Sequence, residues 1–407
     1  MCVAAWWERP GLEVVDGRLQ LAGRDAEAVA REHGTPVFAY DLVRIEEQAR
    51  SLIEAFDRVG APFQLRLALK AQRESEVLAF VRDLGFVGID VCSPGEVRHA
   101  LAHGWAPEEI SFTGTNVSER DLDAILPTGV HLNLDLLSQL DRLGRRAPGS
   151  SVGIRVNPRS GAASWPGAAD LYTGSRRPSK FGILEEQLDD ALEIASRHGL
   201  RIDTVHFHVG RTVLADALPN LEIAIERATS MARRIDEAGH PVVEVNAGGG
   251  LGVPQVSDHD PLDVGDVADL LVRHLGDLGV RIGLEPGDFL TKDMGVLLAE
   301  VVTVDDRDGH RIVGLDAGFN VAPGHFIYDD PLPIVVSHAA DAPADRAVTV
   351  AGNINEGDDL WGEDVPLPPI REGDVLAFLL MGSYNRAMHM DHCLRPPAAV
   401  VAFAERI

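Results

Sequence analysis

From about residue 36 to about residue 290, short apolar runs rich in β-branched and aromatic residues alternate with amphipathic stretches whose apolar positions recur every three or four residues. The runs predict strands at Phe63–Leu69, Val87–Val91, Ile110–Thr113, His131–Leu134, Val152–Val156, Thr204–Val209, Val242–Asn246 and Arg281–Glu285. Leu184–His198 and Leu221–Ala238 are among the helices expected between them. Eight strands, each followed by a helix, predict an α/β fold closed as a (β/α)8 barrel. Beyond residue 290 the pattern changes to runs at Val296–Val304, Ala347–Ala351, Asp374–Leu380 and Ala398–Phe403, separated by Gly, Pro and Asp clusters. That pattern predicts an all-β, antiparallel barrel or sandwich domain. Leu12–Val15 and Arg18–Leu21, joined through Asp16-Gly17, read as a hairpin that could add its strands to it. The expected division is therefore 1–35 (strands joining the β domain), 36–290 (barrel) and 291–407 (β domain), with loops at Pro158–Ser179 and Val256–Pro261.

Composition narrows the function. The chain has 407 residues, 45% of them hydrophobic, enough for two folded domains with sizeable cores. Its 63 acidic against 37 basic residues give a formal net charge of −26, which opposes binding to nucleic acid or an anionic membrane and favours a small-molecule substrate. Cys2, Cys92 and Cys393 lie too far apart for a local metal knuckle and do not make an even disulfide framework. A soluble, cytoplasmic protein without a metal is expected.

Polar residues stand where strands meet loops: Lys70, Asp90 with Glu96, Arg155, His206 and His208, Gly248-Gly249-Gly250, and Glu285-Pro286-Gly287. In a barrel these would converge on the C-terminal face, where active sites of this architecture lie. Lys70 closes the run Leu65–Leu69, and burial could lower its pKa enough for imine chemistry. The glycines could let backbone N–H groups approach a phosphate. Glu285 could partner a pyridinium nitrogen, and His208 could stack on an aromatic ring. Taken singly, each has a plain structural alternative: a rim lysine, a tight turn, a capped βα turn, a core histidine.

The order Lys, Asp and Glu, His-Phe-His-Val-Gly, Gly-Gly-Gly, Glu-Pro-Gly resembles the fold type III pyridoxal-phosphate decarboxylases, most closely the diaminopimelate decarboxylase branch. The likeness runs from Gly34–Asp41 through Leu67–Ala71, Gly114–Asn116, Ser179–Gly182, Gly314–Gly318 and Gly352–Asp359 to Gly382-Ser383-Tyr384. It implies pyridoxal 5′-phosphate as cofactor, held by Lys70 as a Schiff base with His208 on its ring face. Asp90 and Arg155 would lie near it, Gly248, Gly249, Gly250 and Gly287 at its phosphate, and Glu285 at the pyridine nitrogen. It further implies a homodimer with active sites at the interface, the Asn355-Glu356 segment reaching across.

Departures from the family bear on the substrate. Asn355 stands where a cysteine usually donates the proton after decarboxylation, leaving Glu356, His392 or water to do so. Asp288 replaces the arginine of Glu-Pro-Gly-Arg, and Ala322-Pro323 the later Arg-Pro, so two cationic anchors for a distal carboxylate are lost. His392 is expected in place of the phosphate-binding tyrosine, while Arg211 and Tyr384 are further candidate substrate contacts. The expectation is a decarboxylase of an amino acid or a derivative, in a specialised pathway, with meso-diaminopimelate a poor substrate. An epimerase, another enzyme cleaving a bond at Cα, or a non-catalytic cofactor-binding homologue stays open.

Overall fold

The computed structural model describes residues 5–165, 169–174 and 178–407, so part of the expected 158–179 loop, and Cys2, lie outside the described residues. Eight parallel strands close into a barrel: β1 (Phe63–Ala68), β2 (Val87–Val91), β3 (Ile110–Gly114), β4 (His131–Leu134), β5 (Ser151–Asn157), β6 (Arg201–His206), β7 (Glu244–Asn246) and β8 (Arg281–Leu284). Each pairs with the next, and Leu284 lies opposite Leu65, joining β8 back to β1.

The two faces of this barrel are divided by the two-residue period of a strand. Leu65, Leu67, Ile89, Phe112, Leu132, Ile154, Val205, Val245 and Ile282 are fully or almost fully buried and belong to the apolar core. The alternate positions point inward and are polar or small. Arg66 Nη1 donates to Glu244 Oε1 at 2.6 Å across the barrel, and Arg281 Nη2 donates to Glu244 Oε2 at 2.6 Å. Asn133 Nδ2 donates to Ser111 Oγ and Thr113 Oγ1 at 3.0 Å each. Glycine makes room for these groups: a Cβ on Gly283 would meet Glu244 Oε1 at 2.8 Å, and one on Gly153 would meet Asn133 Oδ1 at 1.9 Å. A polar filling needs every charge paired, and Glu244 receives two guanidinium groups that hold its carboxyl below the usual range despite burial.

The same inward parity continues past the strand ends. Positions 66, 68 and 70, then 88 and 90, 153 and 155, 204 and 206, and 283 and 285 form continuous inward columns, so the candidate residues emerge in one layer at the C-terminal mouth.

The second domain is mostly sheet. Gly295–Arg307 is its long central strand, pairing antiparallel with Val375–Phe378 and His310–Leu315. Two pairings depart from the expected antiparallel pattern: His310–Leu315 runs parallel to Arg346–Ala351, and Ala399–Phe403 parallel to Val37–Asp41. The first of these needs a long crossover, and that crossover contains the helix Pro323–Tyr328. Val37–Asp41 pairs with the central strand, so this domain draws on residues beyond 35. The N-terminal hairpin forms a small three-stranded sheet of its own, docked through Leu19 N–H to Ser337 O and Ala340 N–H to Gly17 O, both 2.8 Å. Among the described residues no helix is long and apolar enough to cross a membrane.

Candidate active site

A cavity of about 240 Å³ opens at the barrel mouth, lined by Lys70, Asp90, Arg155, His206, His208, Gly249, Gly250, Glu285, Gly287, Asp288 and Arg211, with Tyr172, Phe181, Tyr328, Asp330 and Tyr384 completing the wall. The structure thus brings together most of the residues singled out from the sequence. Lys70 follows β1 by two residues, and its exposure is to this cavity, since protein surrounds the amine. Burial disfavours its charge, but the Asp90 carboxyl, with Cys92 and Tyr172, outweighs that penalty and holds the pKa above the ordinary lysine value. The expected lowering is therefore not found, because Asp90 shares the inward face beside it.

Glu285 is held ionised at the floor of the site. Burial alone would raise its pKa, but His206, Arg66 and Asn246 pull it down to about 2. His206 Nε2–H donates to Oε2 at 3.0 Å and Asn246 Nδ2–H to Oε1 at 2.5 Å. Asp90 is shifted the other way, upward, by burial first and then by the Glu285 carboxylate. Two carboxyl groups in one cavity are thus driven apart.

His208 lies beyond the end of β6, in a loop rather than a strand. Its Nδ1 accepts from Gly249 N–H at 3.2 Å and Tyr172 packs edge-on at 4.8 Å. Burial, then Arg155 and Lys70, hold it well below the usual histidine pKa, so the ring is neutral at neutral pH. Arg155 lies over the Phe181 ring at 4.4 Å. In the glycine turn, Gly248 N–H donates to Asn246 Oδ1 at 2.9 Å, while Gly250 adopts φ +102°, open to glycine but strained for any side chain. A Cβ on Gly287 would come within 2.9 Å of Tyr384 Oη.

Tyr384 therefore stands at the glycine-lined end, where the sequence placed His392. His392 is instead partly exposed, its Nε2 3.1 Å from Glu356 Oε1 and its ring stacked on Phe319. Asn355 and Glu356 are exposed and do not line the cavity of their own chain. Their turn is well fastened: Asp359 accepts from Phe319 N–H and Ile354 N–H at 2.7 Å each.

Sequence reading missed Lys292, Asp330, Tyr328 and Tyr172. Lys292 is buried, donates to Asp330 Oδ2 at 2.7 Å and approaches Asp288 Oδ1 to 3.9 Å. Arg211 pairs with the other Asp330 oxygen and donates to Tyr328 O at 2.7 Å. Lys292 lies four residues beyond Asp288 across a helical turn, a spacing that was visible in the sequence; Asp330 arrives from the other domain and carried no local signal.

The pyridoxal-binding domain model of the pyridoxal-dependent decarboxylases matches residues 42–292. The chain is 36% identical to the diaminopimelate decarboxylase of Methanothermobacter thermautotrophicus over 97% of this chain and 93% of that one. Identity to the Streptomyces coelicolor diaminopimelate decarboxylase is 32%, covering 95% and 88%. A solved Helicobacter pylori diaminopimelate decarboxylase complexed with L-lysine superposes with a TM-score of 0.84 at 26% identity, covering 93% of each chain. The chain belongs to the fold type III pyridoxal-dependent decarboxylase family. It is a carboxy-lyase that uses pyridoxal 5′-phosphate. The residues present suit that cofactor: Asp90 Oδ1 and His206 Nδ1 are buried at the cavity without a partner among the described residues, and the glycine turn leaves space that side chains would fill.

These relationships overturn the expectation that diaminopimelate is a poor substrate. That expectation counted two lost arginines and one gained aspartate along the sequence. In space, Arg211 lines the cavity paired with Asp330, and Lys292 bonds Asp330 and stands 3.9 Å from Asp288, so the Asp288 carboxyl is not an isolated negative charge.

Proposed function

We propose that this enzyme decarboxylates diaminopimelate to lysine. One observation carries the reading: whole-length similarity to diaminopimelate decarboxylases in both sequence and structure. Bound pyridoxal phosphate supplies a conjugated ring that takes up the electron pair when the Cα–carboxylate bond breaks. Lys70, beside Asp90 at the cavity, would hold the cofactor through its side-chain amine. Glu285, kept ionised by His206 and Asn246, would keep a proton on the ring nitrogen, and Asp90 and Arg155 would lie near the bound group. The neutral His208 ring would pack against the bound group, and Gly250, Gly287 and Tyr384 would hold its phosphate.

We further propose a homodimer in which Asn355 and Glu356 complete the neighbouring cavity. Their exposure on a fastened turn supports this. The division at 1–35, 36–290 and 291–407, with Val37–Asp41 added to the β domain, and a cytoplasmic location suited to the exposed thiols of Cys92 and Cys393, complete the proposal. The test is carbon dioxide release from diaminopimelate, lysine, ornithine and arginine in parallel. Preferential release from diaminopimelate supports the reading; release from another amino acid alone overturns it.

A further inference from the structure

We infer that Asp135 is a positioning residue of the cofactor site: buried behind the cavity wall, its carboxyl anchors the Arg155 guanidinium so that the remaining N–H groups of Arg155 face the bound pyridoxal phosphate. The inference concerns how the cofactor is held and stands whichever amino acid is decarboxylated.

Strand register brings the two residues together. β4 and β5 run parallel with Asn133 opposite Gly153 and Leu134 opposite Ile154, so the next step sets Asp135 opposite Arg155, about 5 Å away across the sheet. Both continue the inward columns, 133 and 135 from one strand and 153 and 155 from the other. Arg155 reaches the cavity, whereas Asp135 is fully buried and stays behind its wall. Asp135 N–H donates to Gln139 Oε1 at 3.2 Å, which fastens the strand end to the helix Leu137–Arg146. The carboxyl itself is left over: among the described residues neither Oδ1 nor Oδ2 has a hydrogen-bond partner, and Thr115 and Gln139 lie close without reaching hydrogen-bond geometry. An enclosed carboxyl in that state is destabilising, and burial raises its pKa, with Thr115, Arg155 and Gln139 opposing the rise.

Arg155 is in the matching state. Its guanidinium lies over the Phe181 ring at 4.4 Å and makes no ion pair among the described residues. Burial lowers its pKa, and Asp135 opposes that most, ahead of Tyr172, Glu285 and Asp90. Glu285 is engaged by His206 and Asn246, and Asp90 stands beside Lys70, so Asp135 is the carboxyl left to orient Arg155. Five donors on a planar fork let one edge serve Asp135 and another the anionic oxygens of the cofactor. The two residues are therefore interdependent. Without Arg155, burial favours the neutral Asp135 carboxyl, which Asn resembles; with Arg155 present, the same replacement removes its anchor.

Titration of the apoenzyme with pyridoxal 5′-phosphate, followed by visible absorbance, tests this. Asp135→Asn should weaken cofactor binding on the order of tenfold and Arg155→Met at least as much, while Asp135→Asn added to Arg155→Met should weaken it by less than about twofold further. The visible band of the bound cofactor should move in Asp135→Asn alone and stay in place when that change is added to Arg155→Met. Asp135→Ser is a second replacement for which the same comparisons hold, and thermal unfolding of the apoenzymes checks that each variant is folded. An equal loss of affinity in both backgrounds shows a structural role for the end of β4 and overturns the inference, as does full affinity in Asp135→Asn. Affinity is read without substrate, so the outcome is independent of the test on diaminopimelate.

Discussion

The inner and outer ends of the cavity are built by different means. At the inner end, Lys70, Asp90, Arg155, His206 and Glu285 emerge near the C-terminal ends of β1, β2, β5, β6 and β8 of one barrel, all on the inward parity that also holds Arg66 and Glu244. At the outer end, Asp288 and Lys292 follow the last barrel strand, Arg211 sits on a loop after β6, and Tyr328 and Asp330 come from a crossover helix of the β domain and the turn behind it. The inner end is set by strand period and closure, which change together or not at all. The outer end is assembled from separate segments whose charges alternate in sign. A loss of charge at one position there says little until the neighbours in space are known.

Removing the amine should break the inner end most severely. Lys70→Ala should abolish the visible absorbance of cofactor-loaded protein and lower turnover by at least about 1,000-fold. Normal absorbance in that variant would contradict its assignment. Glu285→Gln should retain the cofactor and fold while lowering kcat by about 100-fold or more, since the proton on the ring nitrogen loses its anionic partner. At the barrel filling beneath, Arg66→Met should destabilise the protein by about 3 kcal/mol, because Glu244 keeps its charge but loses its most enclosed partner. Denaturant titration measures this.

Acid provides a graded probe. Burial holds His206 and His208 below the ordinary histidine value of 6.5, so the unfolded chain binds protons that the folded chain refuses. Their contribution is complete above pH 6.5 and is lost progressively as pH falls below it. Tm should therefore drop between pH 7 and 5, and His208→Gln should flatten that slope; an unchanged slope would show that other groups set it. The smallest effect is expected at Asn355→Cys, a modest rise in kcat where proton return limits turnover and none where Glu356 already suffices.

These contrasts explain what the sequence could and could not disclose. Strand positions and the order of motifs were legible because alternation and glycine placement are local, and β2 and β4 occur as expected, at Val87–Val91 and His131–Leu134. His208 was placed in a strand, although the strand ends at His206 and the following loop lets His208 meet Gly249. The direction of the Lys70 shift was missed because Asp90 lies 20 residues away and meets it only through barrel pairing. The Arg211, Asp330 and Lys292 contacts span 119 and 38 residues, beyond any local pattern. His392 was assigned to the phosphate by its place near the C-terminus, whereas the backbone at Ser383-Tyr384 turns Tyr384 to that end.

The most direct test of the account is the product formed from diaminopimelate by enzyme loaded with pyridoxal phosphate, followed by simultaneous measurement of carbon dioxide and lysine. The account predicts equal amounts of both. Carbon dioxide without lysine, or neither product while another amino acid is decarboxylated, would contradict it.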